Sequence, residues 1–264
     1  MRGSSSPVLE TRRLCKSFGG LRAVENVDLR VGRGEIVSII GPNGAGKTTL
    51  FNCLTGLCPA TSGTVLFNAR DVTRLAPHRV TRLGVARTFQ NVRLFGELSA
   101  LENVMVGRYC RTSAGVVHSL LQTSRARTED RATAALARDL LGFVGLARHA
   151  ETWARNLAYG DQRRLELARA LATQPELLLL DEPAAGMNAT EVAGMIELIR
   201  NIRDRQITIL LIEHHMKVVM GISDHIVVLD HGEEIAAGTP AEVADDPRVI
   251  EAYLGKRYET TPPA

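Results

Sequence analysis

Short runs of apolar residues alternate along the chain with segments in which apolar residues recur at every third or fourth position. Residues 35–40 form a short run rich in β-branched residues, which predicts a strand. Residues 177–180 and 207–212 are apolar runs of the kind that is typical of strands buried on both faces. A helix is predicted by apolar residues at helical spacing: Val192, Met195, Ile196, Ile199 and Ile202. Strands that alternate with helices predict an α/β fold with a mostly parallel sheet.

Both ends of the chain favour antiparallel pairing. Residues 8–31 contain two segments of strand-like composition, and residues 63–67 form a further short strand. A hairpin is predicted from residues 226–229 and 234–237, which lie on either side of a turn that contains glycine. We therefore expect an N-terminal antiparallel β region beside the parallel sheet.

Several other segments are predicted to be helical. Residues 48–56 and 161–173 follow glycine-containing loops, and Pro77 begins another helix because its missing N–H is not needed in the first turn. Between residues 100 and 145, Ala, Arg, Leu and Glu dominate with helical periodicity. We interpret residues 91–172 as a helical subdomain that is inserted in the α/β core.

Composition and charge argue against several classes of protein. The net charge of +3 comes from 32 basic and 29 acidic side chains, a balance too even to indicate nucleic-acid binding. No apolar run approaches the roughly 18 to 20 residues that cross a bilayer, and we expect no signal peptide. We expect residues 1–7 and 256–264 to be disordered and residues 8–255 to form a single domain. Any membrane association must then come through a partner.

A glycine-rich loop follows the strand predicted at residues 35–40 and precedes a predicted helix. Its sequence has the spacing G-x-x-x-x-G-K-[ST]. Backbone N–H groups in such a loop surround a phosphate, and the helix N-terminus adds a favourable dipole. We expect Lys47 to bridge the β- and γ-phosphates and the Thr48 hydroxyl to bind Mg²⁺. The residues predicted to contact a nucleoside triphosphate here are Gly41, Pro42, Asn43, Gly44, Ala45, Gly46, Lys47, Thr48 and Thr49.

Two acidic residues follow the buried strand predicted at residues 177–180. A carboxylate at the end of such a strand can reach a Mg²⁺ ion that is held by a phosphate loop, and Asp181 is the candidate for this role. Glu182 is the candidate that orients and polarises the attacking water. By themselves, Asp181, Glu182 and Pro183 could equally form a helix cap or a turn. Their combination with the glycine loop favours the catalytic interpretation.

These motifs resemble the ATPase family of ABC transporters, and the resemblance covers about residues 8–254. The family carries a signature L-S-G-G-Q shortly before the second acidic motif. The matching residues here are Leu157, Ala158, Tyr159, Gly160 and Asp161. The resemblance implies a P-loop NTPase core, and a signature helix that presents its N-terminal amides to the γ-phosphate bound by the opposite subunit. Ala158 lacks the serine hydroxyl, so we expect this half-site to be weakened.

Further residues match the family by order and context. Gln90 fits the glutamine that contacts Mg²⁺ and water, and His214 fits the histidine that contacts the γ-phosphate, although His215 follows where an acid is usual. Phe18 fits the aromatic residue that stacks on adenine; for a lone phenylalanine, core packing is the alternative. Asn188 replaces an aspartate that the family commonly places at its dimer interface.

Within the family, the patterns L-A-Y-G-x-Q-R-R-L-E and D-E-P-A-A-G-M-N are similar to the LivG-type ATPases of branched-chain amino acid importers. This resemblance implies ATP and Mg²⁺ as cofactors and a peripheral location on the cytoplasmic face of the inner membrane. It implies a head-to-tail dimer with a LivF-type ATPase or a second copy of this chain, two permease subunits and, indirectly, a periplasmic binding protein. The Arg-rich residues 108–131 either dock a permease loop or form a solvated face.

Other functions remain open at this point. The ATPase of another ABC system, such as lipopolysaccharide export, has a similar build, but its relatives usually keep S-G-G in the signature. Non-transport ABC proteins that act on DNA or ribosomes generally carry two nucleotide domains or a long coiled coil, whereas this chain has one set of motifs. A kinase would explain the glycine loop but not the segments around Leu157 and His214.

Overall fold

A computed structural model describes residues 6–111 and 124–254. The chain divides into two compact units, Met1–Pro77 with Arg203–Ala264, and His78–Ile202. The predicted disordered tail lies outside the described residues, as do residues 1–5 of the predicted N-terminal segment and residues 112–123 of the Arg-rich stretch. The single domain at residues 8–255 and the inserted subdomain at residues 91–172 stay predictions.

The N-terminal part of the first unit forms the expected antiparallel sheet. Its strands are β1 (Leu9–Phe18), β2 (Leu21–Val27), β3 (Arg30–Val31), β5 (Ser62–Phe67) and β6 (Arg70–Asp71). They lie in the order β2-β1-β5-β6, and β3 also pairs with β1. Where two strands were expected between residues 8 and 31 there are three, because the chain turns again after Val27 and pairs Val31 with Leu9.

The same unit contains the buried parallel strands. They are β4 (Ile36–Ile40), β9 (Thr208–Ile212) and β10 (His225–Asp230), and β11 (Glu233–Gly238) completes the predicted hairpin with β10. Strand β4 is parallel to both β9 and β10. Every residue of β4 and β9 is buried, which confirms the buried strand predicted at residues 207–212 and the strand predicted at residues 35–40. The one polar side chain in β4 is satisfied, since the Ser38 hydroxyl lies 2.6 Å from that of Ser223.

Helices cover the strands of the first unit. They are α1 (Lys47–Leu54), α7 (Met216–Ile222), α8 (Pro240–Ala244) and α9 (Pro247–Leu254). One apolar cluster joins β4, β10 and β11 to the last three helices through Ile40, Val219, Ile226, Val228, Ala236, Val243 and Val249. This packing fixes the end of β4, from which the glycine loop begins.

The second unit combines a pair of strands with helices. Its elements are α2 (Pro77–Leu83), β7 (Val85–Arg87), α3 (Ala100–Arg108), α4 (Ser124–Phe143), α5 (Tyr159–Ala172), β8 (Leu177–Asp181) and α6 (Ala189–Asp204). Strands β7 and β8 are parallel, with Arg87 opposite Leu179. Helix α5 begins at Tyr159, two residues before the predicted start at Asp161, because Gln162 already donates its N–H to the carbonyl of Ala158. In the described ranges, no helix combines the length and the apolar content needed to cross a membrane.

Asn103 organises the polar backbone at the start of α3. Its side chain is fully buried, and Nδ2 lies within hydrogen-bond distance of the carbonyls of Phe95, Leu98 and Ser99. Its Oδ1 accepts the N–H of Phe95 at 2.9 Å. Ser99 and Glu102 form a capping box around the same first turn. One amide side chain therefore holds the loop that leads into α3.

We predict that Asn103→Leu lowers the free energy of unfolding by about 2–4 kcal/mol, because it leaves several buried backbone groups without their partner. Leucine has a similar volume, so the loss reports on hydrogen bonds rather than on a cavity. Asn201→Leu on the exposed face of α6 is the matched control and should change stability by less than about 0.5 kcal/mol. Urea denaturation of both variants checks this, and equal effects would contradict it.

Candidate functional site

The glycine loop leaves β4 at Ile40 and enters α1 at Lys47. Gly41 has a φ of +147°, and a Cβ atom placed on it would lie 2.0 Å from the carbonyl oxygen of Leu229. Gly46 has a φ of +97°, and a Cβ there would lie 2.1 Å from the carbonyl oxygen of Ala23. Backbone atoms cannot move aside as a flexible side chain can, so this path of the loop requires glycine at both positions.

Lys47 folds back over this loop. Its Nζ donates to the carbonyl of Gly41 at 2.7 Å and to that of Pro42 at 3.0 Å. The ammonium group is therefore held at the mouth of the loop by backbone dipoles. Its contact with a nucleotide phosphate stays a prediction.

The C-terminal helix α9 also contacts the loop, which the sequence did not reveal. The N–H of Gly41 donates to the hydroxyl of Tyr253 at 2.8 Å. Burial raises the pKa of Tyr253, and the hydrogen bond from Gly41 opposes that rise. Tyr253 lies 212 positions from Gly41, so no local pattern connects the two residues.

Asp181 is held by an arginine that the motif analysis missed. The Nη2 of Arg87 lies 2.7 Å from Oδ2 of Asp181, and their side chains are only 6% and 3% exposed. Burial lowers the pKa of Arg87, and the hydrogen bond to Asp181 partly offsets this effect. The parallel pairing of β7 with β8 brings Arg87 to the end of Asp181's strand. The ion pair fixes the orientation of the carboxylate.

Gln90 and Glu182 are brought together in the structure, and their catalytic roles stay predictions. The Nε2 of Gln90 donates to Oε2 of Glu182 at 3.1 Å. Glu182 has a φ of +49°, which is uncommon for a residue with a Cβ and costs about 1 kcal/mol or more. Strained backbone of this kind persists where the surrounding structure fixes it, and it clusters at functional sites.

The signature residues lie at the start of α5. Ala158 precedes the helix and provides no side-chain cap, so the first N–H groups of the helix are available to another acceptor. A buried arginine follows on the same helix face: Arg163 donates to the hydroxyl of Tyr159 and to the carbonyls of Phe89 and Gln90. The signature and the segment at Gln90 are therefore connected within the second unit.

A buried glutamate lies one helical turn beyond Arg163. Oε2 of Glu166 lies 3.6 Å from Nη1 of Arg163, and Oε1 accepts the N–H of Phe89 at 3.3 Å. Burial raises the pKa of Glu166, although the amide of Phe89 and the charge of Arg163 oppose the rise. Charged residues three positions apart on the buried face of a helix are the sequence signal that could have revealed this pair.

Asn188 caps helix α6. Its Oδ1 accepts the N–H groups of Thr190 and Glu191 at 3.0 Å, and its own N–H donates to the Glu191 carboxylate. That carboxylate approaches Gly160 so closely that a Cβ there would lie 2.9 Å from it. The amide of Asn188 thus caps the helix without carrying a charge. Its place at a dimer interface stays a prediction.

The two candidate histidines have similar surroundings. The side chains of His214 and His215 are about half exposed, and their rings lie 4.3 Å apart. Both face the buried Glu213 carboxylate, which lies 4.0 Å from Nδ1 of His214 and 3.3 Å from Nδ1 of His215. These contacts do not separate the two histidines, and the role of His214 stays a prediction that rests on its register from the strand.

Phe18 lies on the surface, so its alternative interpretation as a core residue is wrong. It is 51% exposed, and the Nζ of Lys16 lies 4.7 Å from the centre of its ring. An exposed ring beside a lysine can stack on a base. The structure thus brings together two groups of candidates, one around Lys47 and one around Glu182, each within its own unit.

The chain matches two protein-family models. Residues 24–185 match the family described as ABC transporter. Residues 233–259 match the family described as branched-chain amino acid ATP-binding cassette transporter. The second match includes Tyr253 and helix α9, the elements that contact the glycine loop.

Curated proteins resemble nearly the whole chain. It is 51% identical to the high-affinity branched-chain amino acid transport ATP-binding protein LivG of Salmonella typhimurium, over 96% of this chain and 99% of that protein. It is 47% identical to the high-affinity branched-chain amino acid transport ATP-binding protein BraF of Pseudomonas aeruginosa, with the same coverage.

Solved structures agree with this likeness. An ATP-binding cassette of an ABC transporter in its ADP conformation is 32% identical with a TM-score of 0.83, over 96% of this chain and all of that one. A second cassette, a dimer in a post-hydrolysis state bound to ADP and phosphate, is 25% identical with a TM-score of 0.73, over 88% of this chain and 98% of that one. The expected fold class is therefore confirmed.

We predict that Arg87→Met lowers the free energy of unfolding by about 3–5 kcal/mol, because it leaves the buried Asp181 carboxylate without its cation. Arg155→Met is the control: Arg155 pairs with Glu97 in an exposed ion pair, and such pairs contribute at most about 1 kcal/mol. Denaturant titration of both variants measures the difference. If the two losses were the same, burial of the Arg87–Asp181 pair would not matter to stability.

Proposed function

Because the chain belongs to the ABC transporter family of ATP-binding proteins, we propose that it hydrolyses ATP to power the uptake of branched-chain amino acids through membrane partners. The observation that carries this proposal is its likeness, over nearly the full length, to ATP-binding proteins of branched-chain amino acid transport. The match of the C-terminal segment to a branched-chain family model supports the same substrate class. The contact of Gln90 with Glu182 supports a hydrolytic site.

The glycine loop is proposed to bind the phosphates of ATP. Gly41 and Gly46 hold a path that side-chain-bearing residues cannot follow, and the helix N-terminus at Lys47 favours negative charge. In this role Lys47 exchanges its two carbonyl contacts for phosphate oxygens. Phe18 stacks on the adenine, and His214 contacts the γ-phosphate.

The donor set fits Mg²⁺. Thr48, Asp181 and Gln90 offer a hydroxyl, a carboxylate and an amide oxygen, and oxygen ligands are those that Mg²⁺ prefers. When bound, Mg²⁺ neutralises charge on the phosphates and orients them. Arg87 takes one oxygen of Asp181 and so fixes the direction in which the other points. Arg87 therefore positions a metal ligand without being one.

Glu182 is proposed to orient and polarise the attacking water. Its carboxylate is restrained on one side by Gln90 and by its own strained backbone. A restrained carboxylate needs little reorganisation when it accepts a proton. Gln90 has a positioning role here in addition to its proposed contact with Mg²⁺.

The second half of each site is proposed to come from another ATPase subunit, either a LivF-type protein or a second copy. The N–H groups at the start of α5, at Tyr159 and Gly160, would then meet the γ-phosphate that the other subunit holds. ATP favours closure of such a dimer because it completes the contact, and hydrolysis removes that preference. The closure would move two permease subunits between inward and outward access, with a periplasmic binding protein delivering the amino acid.

We predict that Glu182→Gln lowers the rate of ATP hydrolysis by about 10²–10⁴-fold and leaves ATP binding unchanged, because only the general base is lost. Phosphate release measures the rate, and a fluorescent ATP analogue measures binding. Glu151→Gln, an exposed change in the same unit, should have no effect on either. Hydrolysis at the wild-type rate by Glu182→Gln would show that another residue activates the water.

We also predict that the chain co-purifies from native membranes with two permeases and a binding protein for hydrophobic amino acids. Cells that lack the chain should lose leucine, isoleucine and valine uptake, and the wild-type gene should restore it where the Glu182→Gln gene does not. Radiolabelled uptake and mass spectrometry of the complex provide the measurements. Recovery with a lipopolysaccharide-export complex would overturn the substrate assignment and leave the ATPase assignment in place.

A further inference from the structure

Arg163 connects two functional segments of the second unit. Its side chain is only 3% exposed, and its guanidinium contacts two separate segments of the chain. Nη1 donates to the carbonyl of Phe89 at 2.8 Å and Nη2 to that of Gln90 at 2.5 Å. Nε and Nη2 donate to the hydroxyl of Tyr159 at 3.0 Å and 2.8 Å. One rigid, planar group thus joins the start of the signature helix to the segment that contains Gln90.

Tyr159 replaces a glycine of the general family signature, and its hydroxyl accepts hydrogen bonds from Arg163. Tyr159 and Arg163 are four positions apart on α5 and therefore lie on one helix face. A phenol oxygen can accept two hydrogen bonds, and Arg163 supplies both. The hydroxyl thereby fixes the direction of the guanidinium. Without it, Arg163 would be oriented by Glu166 and the two carbonyls alone.

The ring of Tyr159 reaches a third segment. A Cβ placed on Gly186 would lie 3.2 Å from Cε1 of the ring, and Gly186 has a φ of +75°. Gly186 lies in the loop that follows Glu182. The ring of Tyr159 therefore packs against the loop that follows Glu182. Its hydroxyl contacts Arg163, which in turn contacts the segment of Gln90, the hydrogen-bond partner of Glu182.

We propose that Tyr159 is a positioning residue that couples the signature to the Gln90–Glu182 pair of the same chain through Arg163. This inference rests on the proposed function, in which the start of α5 binds the ATP of the partner subunit. A phosphate that engages the amides at Tyr159 then restrains Arg163, and through it the carbonyl of Gln90. Occupancy of one ATP site in the dimer is thereby transmitted to the glutamine and the catalytic carboxylate of the other.

The first test is Tyr159→Phe in the full chain, which keeps the ring against Gly186 and removes only the hydroxyl. We expect hydrogen–deuterium exchange of the Phe89 amide, which donates to Glu166, to become about three- to tenfold faster. In an Arg163→Lys background the same change should add little, because the hydroxyl acts through the guanidinium. Tyr109→Phe, another exposed tyrosine of this unit, is the matched control and should leave exchange at Phe89 unchanged.

The second test measures ATP hydrolysis by the membrane complex that co-purifies with the chain. The wild-type complex should show a Hill coefficient for ATP approaching about 2, and Tyr159→Phe should lower it to about 1. The maximal rate should fall about three- to tenfold while binding of a fluorescent ATP analogue to the chain stays within about twofold. A residue with a merely structural role would lower the melting temperature but would not change the Hill coefficient.

The outcomes separate this inference from the function on which it rests. A wild-type complex that does not hydrolyse ATP would overturn both. If the wild-type complex hydrolyses ATP but Tyr159→Phe changes neither the exchange at Phe89 nor the Hill coefficient, only the coupling is overturned. Faster exchange with an unchanged Hill coefficient would show that the hydroxyl stabilises the segment without transmitting occupancy, which also overturns the inference.

Discussion

Buried charge is the constraint on which the candidate site depends. Arg87, Asp181, Arg163 and Glu166 are all withdrawn from water, and removal of one partner from a buried ion pair costs roughly 3–5 kcal/mol. Each of these charges therefore needs its partner close by, which restricts how the neighbouring segments can pack. The first pair joins the ends of two parallel strands, and the second holds the segment that follows β7. The backbone at Phe89 and Gln90 is held in place by these charged side chains.

Much of the fold could be predicted because the patterns that specify its strands and helices lie within short stretches of sequence. Short runs rich in Leu, Ile and Val identified the strands, and the glycine loop between β4 and α1 required no distant residue to be recognised. Pro77 marked a helix start correctly because the reason for its preference is confined to one turn. The short strand at Arg30–Val31 was missed, since two residues carry too little periodicity to be distinguished from a loop.

The supporting residues of the site could not be predicted in the same way. Arg87 and Asp181 are 94 positions apart, and Gly41 and Tyr253 are 212 apart, so only the folded chain brings them together. Motif residues are those whose own chemistry suits a ligand, whereas Arg87 and Tyr253 contact the carboxylate of Asp181 and the backbone of Gly41. A local signal was present only for Arg163 and Glu166, which are opposite charges three positions apart in a predicted helix.

The signature helix makes a contact that comparison with the family motif does not reveal. The expectation of a weakened half-site rests on Ala158, which lacks the serine hydroxyl, and it stays a prediction. In the structure, α5 starts at Tyr159, and its first N–H groups are presented whatever residue precedes them. The tyrosine hydroxyl adds an acceptor that a glycine lacks, and it acts on Arg163, which a glycine could not orient. In the proposed coupling, the signature therefore acts on the segment that contains Gln90 through Tyr159 and Arg163, in addition to the contact of its amides with a phosphate.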